Sequence, residues 1–305
     1  MPLSVRTLSA GVLLLLMGVA LGAQDAGGAG MTAEEFESKL GYQTGTITLP
    51  GSIATIQVPD SFRFLGAEGS KRLLTQGWGN PPSAAEGVVG MLVPSKVSPV
   101  GPGGWGIVMT FDEDGFVDDN DAAHINYTKL LNEMQEQSRE TNAARQKQGF
   151  EPVQLVGWAE PPSYDAAAHK LYWAKELAFG HNPTHTLNYN IRILGRRGVL
   201  VLNAVADMDQ LATIRAQSRT VLTAINFNEG HRYTDYLPGT DKAAAYGVAG
   251  LIVGATAAKA GFFKALLVGL LAFKKLIVVA AAGLVAALRR LFGASKEPET
   301  TDAPV

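Results

Sequence analysis

The chain has 305 residues, a formal net charge of −2 and no cysteine, which excludes disulfides, thiolate nucleophiles and Cys-ligated metals. The charge is unevenly spread: residues 24–241 carry 17 Lys+Arg against 25 Asp+Glu, a net of −8, and residues 242–305 carry 8 against 3, a net of +5. An acidic main body argues against nucleic-acid binding, which needs a basic face.

Residues 1–23 have the layout of a secretory signal peptide: Arg6 in a basic n-region, an apolar stretch 8–21, and small residues Ala20-Leu21-Gly22-Ala23 for a peptidase. A leader, 24–42, Gly-rich over 24–30, precedes the main domain, 43–241. There, residues 46–49 and 53–58 flank Pro50-Gly51, which predicts a β-hairpin. Residues 67–76 predict a short helix ending near Gly77. Residues 88–93 and 105–111 read as strands joined by a Pro/Gly loop, 94–104.

An acidic turn, 112–121, leads into a helix over 127–148, with Asn126 as cap and Gly149 as stop. Its second half, 135–148, is nearly all polar and is expected to protrude or lie on the surface. Residues 170–179 alternate, with Leu171, Trp173, Leu177 and Phe179 on one face. Residues 186–194 place Leu187, Tyr189, Ile191 and Ile193 on one face and Asn188, Asn190 and Arg192 on the other. Gly195-Arg196-Arg197-Gly198 turns the chain into a more apolar strand, 199–205. Asp207 or Asp209 then caps a helix with Leu211, Ile214, Ser218, Val221, Leu222 and Ile225 on one face, ended by Gly230. The expected fold is α+β: antiparallel β-meander sheets packed with amphipathic helices, plus a C-terminal transmembrane helical segment.

Residues 242–292 read as that membrane anchor. The stretch 243–288 is rich in Ala, Gly, Leu and Val, broken by Lys259, Lys264, Lys274 and Lys275 and closed by Arg289 and Arg290. One helix ending at Arg289 leaves Lys274 and Lys275 near mid-bilayer, at about 3 kcal/mol each on insertion scales. A hairpin of spans at 243–263 and 276–292 avoids that cost but puts Arg289 and Arg290 outside, against the positive-inside trend. A third arrangement lays 255–275 flat on the membrane. One firm span ending at Arg289 is preferred, with the preceding segment interfacial or a second span. Gly247, Gly250 and Gly254, at three- and four-residue spacing, would allow close helix approach within a membrane complex. The tail, 293–305, is polar and expected to be disordered. An export signal followed by an anchor places the main domain in the periplasm or outside the cell, with the tail in the cytoplasm.

Several strings carry a resemblance: Gly77-Trp78-Gly79-Asn80-Pro81-Pro82, residues 112–135, Gly157-Trp158-Ala159-Glu160-Pro161-Pro162-Ser163-Tyr164-Asp165, residues 169–176, and Leu194-Gly195-Arg196-Arg197-Gly198. Together they resemble the bacterial "domain of unknown function 2167" family of predicted membrane-anchored proteins, over roughly residues 33–292. The resemblance implies an exported domain with a C-terminal anchor and brings no activity or catalytic residue. The layout of hairpin, meander and closing helix is also similar to the antiparallel α/β/α folds of photosystem-associated and periplasmic lipoprotein domains, a likeness silent about function.

Clustered carboxylates in the acidic turn suit a hard cation, with Asp112, Asp114, Asp118, Asp121 and His124 as candidate ligands. The spacing is not that of an EF-hand loop, since Phe116 holds its fifth position and Gly115 directly follows Asp114. The competing reading is a solvated loop before a helix N-terminus, where negative charge is favoured. In His181-Asn182-Pro183-Thr184-His185 the proline prevents a shared helix, and no third ligand is evident. Ser163, Asp165 and His169 lack a nucleophile elbow. Gly101-Pro102-Gly103-Gly104-Trp105-Gly106 lacks the lysine of a phosphate loop. The Trp-Pro strings either lock loops onto a core by aromatic packing or offer a ligand rim of Trp78, Trp158 and Tyr164. No cofactor is called for. The leading expectation is a non-enzymatic, membrane-tethered binding or scaffolding module whose partners are the membrane and another envelope protein or a glycan. The alternative is a metal-dependent envelope hydrolase.

Overall fold

Strand alternation and turn chemistry build two antiparallel sheets in the computed structural model, which describes residues 31–147 and 151–254. The chain opens with helix α1 (Ala33–Ser38), whose N-cap Thr32 forms a reciprocal capping box with Glu35. Strands β1 (Gly45–Thr48) and β2 (Ala54–Val58) form the expected hairpin. Strand β3 (Phe62–Gly66) runs into α2 (Ala67–Arg72), which widens into one π-helical turn, Leu73–Gly77. Strands β4 (Val88–Pro94) and β5 (Ile107–Asp112) follow, then α3 (Tyr127–Lys147), and then β6 (Val153–Asp165), β7 (Lys170–Phe179), β8 (Thr186–Leu194) and β9 (Val199–Asp207). Helix α4 (Leu211–Ala224), strand β10 (Ile225–Phe227) and the short helix α5 (Val248–Val253) complete the described chain.

The large sheet has seven strands in the order β3-β4-β5-β9-β8-β7-β6, and the small one has three, β1-β2-β10. The main core lies between the large sheet and a layer made of the small sheet and α4. Leu187, Tyr189, Ile191 and Ile193 of β8 enter it, alternating as expected, and meet Ile56 of β2 and Ile214 and Val221 of α4. Asp207 caps the turn that opens α4, in a box with Gln210. The helix stops at Ala224, not at Gly230. Ile225 is already extended and pairs with Ile56, because joining β2 lets both side chains stay fully buried. Lys170 closes the same helix end, its ammonium donating to the carbonyls of Leu222 and Ile225.

Strand β6 was not expected, since Pro161-Pro162 read as a turn. It is an edge strand broken by three register shifts, and an edge is where prolines, which cannot donate to a ladder, are tolerated. Its free edge explains the polar half of α3, which does not protrude. Gln135, Ser138, Asn142 and Arg145 recur on one helix face and donate to the carbonyls of Leu155, Val156, Val153 and Glu151. Asn142 also accepts the Val153 N–H at 2.8 Å. The helix thus covers backbone groups that would otherwise invite a foreign strand.

The folded body is longer than 43–241 at both ends. Leu40, in the expected leader, is 2 % exposed, and Phe36 packs beside it against Leu73 and Gly77 of the π-helical turn. Residues 243–253, expected in the membrane, are folded onto the domain. Ala243 bridges to Phe116, and Val248, Leu251 and Ile252 are buried against Val117, Leu171 and Trp173. Gly247 and Gly250 do not form a packing stripe for another helix. A Cβ on them would meet Asp121 at 2.7 Å and Tyr246 at 2.8 Å, so they permit local close approach. Among the described residues no helix is long and apolar enough to cross a membrane. The signal peptide 1–23, the anchor from residue 255 onward and the tail 293–305 lie outside the described residues.

Replacing Asn142 with Ala should remove both bonds to Val153 and destabilise the domain by about 1–3 kcal/mol. Urea unfolding of wild type and variant measures it, and an unchanged midpoint would mean the edge needs no cover.

Candidate functional site

Among the described residues, the second face of the large sheet is covered at its two ends. At one end Leu65, Met91, Val93, Val108 and Val205 pack under α1, α2 and Trp78. At the other, Leu171, Trp173, Leu194, Val199 and Val201 pack under Val117, Leu130 and α5. Between the two clusters runs a polar band. Pairing aligns Lys175 with Asn188, Trp173 with Asn190 and Asn203, and Arg192 with Val201 and Thr110, and directly paired residues share a face.

The band reaches solvent. Lys175, Asn188, Arg192, Asn203 and Thr110 are partly exposed, and only Asn190 is buried. Yet protein crowds the two cations closely. Burial, and then the neighbouring Arg192, lower the Lys175 ammonium to about 8. Burial lowers Arg192 to about 10, partly offset by Asp112 and Tyr246. The register sets these side chains side by side on one sheet face, where protein surrounds them and they keep some contact with solvent. Burial likewise raises the Asp112 carboxyl, an effect opposed by Arg192. The Arg192 guanidinium sits 5.0 Å from the Trp173 ring centroid. All its hydrogen bonds run through Nη1, to Ile191 O at 2.9 Å, Leu202 O at 3.4 Å and Asn203 Oδ1 at 3.3 Å. Asn190 donates to the carbonyl and the side-chain oxygen of Asn188. The Lys175 ammonium makes no hydrogen bond or ion pair among the described residues. The arrangement can hold an anionic, hydrogen-bonding ligand, and it contains no nucleophile–base pair.

The acidic turn does something else. Asp114 accepts the Tyr246 hydroxyl at 2.6 Å, Asp118 accepts the Asn120 N–H, and Asp121 accepts the Val248 and Ala249 N–H groups that open α5. His124 is exposed at the end of a 3-10 turn, and Asp112 faces Arg192. The five candidate metal ligands are therefore not brought together, because each carboxylate serves a different neighbour. Among the described residues no three His, Asp or Glu side chains are placed to hold a metal ion. Asp119, passed over in the sequence, is the hub of the turn: Tyr164 donates to it at 2.6 Å and His169 lies 3.2 Å away, stacked on Tyr233. Burial would raise its carboxyl, but hydrogen bonds from Tyr164, Tyr233 and His169 outweigh that and hold it below the ordinary value.

Trp78, Trp158 and Tyr164 do not form one rim. Trp78 is buried at one end of the sheet, its indole N–H donating to Pro99 O at 2.7 Å. Trp158 and Tyr164 belong to the other end, where Trp158 donates to Tyr127 O. Packing decides their placement, since each ring carries a polar tip that finds a partner inside the fold. Asp165 caps its own turn through Ala167 and Ala168, so no triad forms with Ser163 and His169. In the β7–β8 loop His185 pairs with Glu176. Lys175 was missed, although one signal marks it: it stands at the apolar parity of β7, between Trp173 and Leu177.

The residue strings point to one family, and a match to that family's model decides it. The chain belongs to the family described as "protein of unknown function (DUF2167)". Its model matches residues 41–285, so the family reaches from just before β1 to beyond α5. No curated protein matches. Among solved structures, the solution structure of cyanobacterial PsbP (CyanoP) from Synechocystis sp. PCC 6803 is similar at 13 % identity. The likeness covers 68 % of this chain and 99 % of that one, with a TM-score of 0.33.

A depressed Asp119 pKa contributes stability that is present above the unfolded value of about 3.9 and lost as pH falls through the lower folded value. Asp119→Asn should lower the melting temperature at pH 7 and flatten the decline in stability as pH falls below about 4. Melting curves across pH 2–7 test this, and parallel curves would remove Asp119 as the hub.

Proposed function

We propose that this protein is a binding or scaffolding module of the bacterial envelope, exported by residues 1–23 and held at the membrane from residue 255 onward. Its partner is received in the polar groove of the large sheet. One observation carries the binding role: an open polar floor with two crowded cations crosses a sheet face that is otherwise buried under apolar side chains. A band of that kind costs core stability, which favours a use for it. The envelope placement is supported by the signal-like N-terminus, the opposite net charges of the two parts and the apolar stretch closed by Arg289 and Arg290. Folding of residues 243–253 onto the domain supports a membrane segment that begins after them, with one span ending at Arg289 and the residues before it interfacial or a second span.

Two measurements on the full chain in cells test this. An epitope in the exposed loop 181–184 should be cleaved by external protease in intact spheroplasts, and protection until the bilayer is breached would reverse the orientation. A photo-cross-linking residue at position 188 should give a discrete adduct that the same residue at exposed Glu140 on α3 does not. Identical patterns from the two positions would remove the groove as the binding surface.

A further inference from the structure

The buried and half-buried cations of this domain fall into two groups. Lys170 is capped by carbonyls, Arg196 holds Asp241 through two nitrogens at 2.6 and 3.0 Å, and Arg215 meets Glu160 at 3.0 Å. Lys175 has none of this; it stands on the same sheet face as Arg192, whose like charge acts on it. Crowding an unpartnered ammonium against a guanidinium is unfavourable in the empty groove and becomes favourable when an anion lies between them. The Nε and Nη2 groups of Arg192 are uncommitted, because Nη1 makes every hydrogen bond of that side chain. The indole N–H of Trp173, in the same row as Asn190 and Asn203, is buried without a partner.

We infer that the groove floor is a carboxylate-binding site, in which Lys175 and the uncommitted nitrogens of Arg192 hold the anionic group while Asn188 and Asn203 hydrogen-bond the neutral polar atoms beside it. The inference rests on the groove being the binding surface and names its ligand chemistry. Charge balance favours a monoanion: Lys175 and Arg192 share the band with one carboxyl group, Asp112 beside Arg192, so a single negative charge neutralises the site and the dianionic form of phosphate, prevalent above neutral pH, overshoots it. The planar guanidinium fork matches a carboxylate. The amide floor matches a carrier with hydroxyl or amide groups, either a sugar acid or the C-terminus of a peptide.

The full chain in non-ionic detergent is titrated calorimetrically with glucuronate, Ala-Ala, inorganic phosphate and glucose. One or both carboxylates should bind at least tenfold more tightly than phosphate, with no detectable heat from glucose, and the tighter of the two identifies the carrier. Lys175→Met should weaken binding at least tenfold without lowering the melting temperature, while Lys175→Arg retains it. Arg192→Met should do the same, and if it unfolds, the Lys175 pair of variants still decides. Raising the pH from 7 to 9 deprotonates an ammonium titrating near 8, so wild-type affinity should fall about tenfold and that of Lys175→Arg should not. Equal binding by wild type and Lys175→Met, no carboxylate binding, or a preference for phosphate overturns the inference. If position 188 still cross-links a partner under those outcomes, the groove remains a binding surface with another ligand. If it does not, both proposals fall together.

Discussion

One strand, β8, ties the interior of this domain to its surface. Its side chains alternate, so the register that sends Leu187, Tyr189, Ile191 and Ile193 into the core obliges Asn188, Asn190 and Arg192 to face the other way. A slip of one residue would bury an arginine and two amides. The groove is therefore tied to the core, and its floor has the rigidity of the centre of a seven-stranded sheet. A site built on central strands is held more accurately than one on loops.

The rest of the architecture covers what that sheet leaves open. One face is closed by the small sheet and α4. One edge is closed by α3, using amide, hydroxyl and guanidinium groups where an ordinary amphipathic helix would use leucines. The partner is a row of backbone carbonyls and one N–H, and polar side chains are the physical match for it. A helix that reads as solvated from its composition is thus held along a sheet edge.

The segment 233–253 is the third closing device. It crosses the acidic turn through the stack of Phe116 with Tyr236, the bridge of Phe116 to Ala243, the Tyr246–Asp114 hydrogen bond and the cap that Asp121 places on α5. Five aspartates within ten residues repel one another in isolation. Here they are distributed among tyrosines, a histidine, Arg192, the Asn120 N–H and a helix N-terminus, each of which stabilises a negative charge. The arrangement also brings residues 243–253, the start of the apolar stretch, beside the second face of the sheet.

Local periodicity was enough to read most of the fold from the sequence. The hairpin at Pro50-Gly51, the strands β4, β5, β7, β8 and β9 and the helices α3 and α4 follow from alternation, caps and glycine stops, which act within a few residues. The family was legible in the same way, from short strings. Elements whose reason lies far away in the chain were not. The proline-bearing β6 exists because α3 and β7 flank it, and Ile225 leaves its helix because β2 is beside it. Residues 243–253 look like lipid-facing sequence because burial against Val117 and Trp173 demands the same apolar side chains as a bilayer. The site divides along the same line. Asn188, Asn190 and Arg192 could be placed on one polar face from spacing alone. That Lys175 joins them, that Trp78 and Trp158 do not, and that the aspartates disperse were decided only by the packing of strands and segments distant in sequence, since charge, solvent and apolar neighbours meet only when the sheet is assembled.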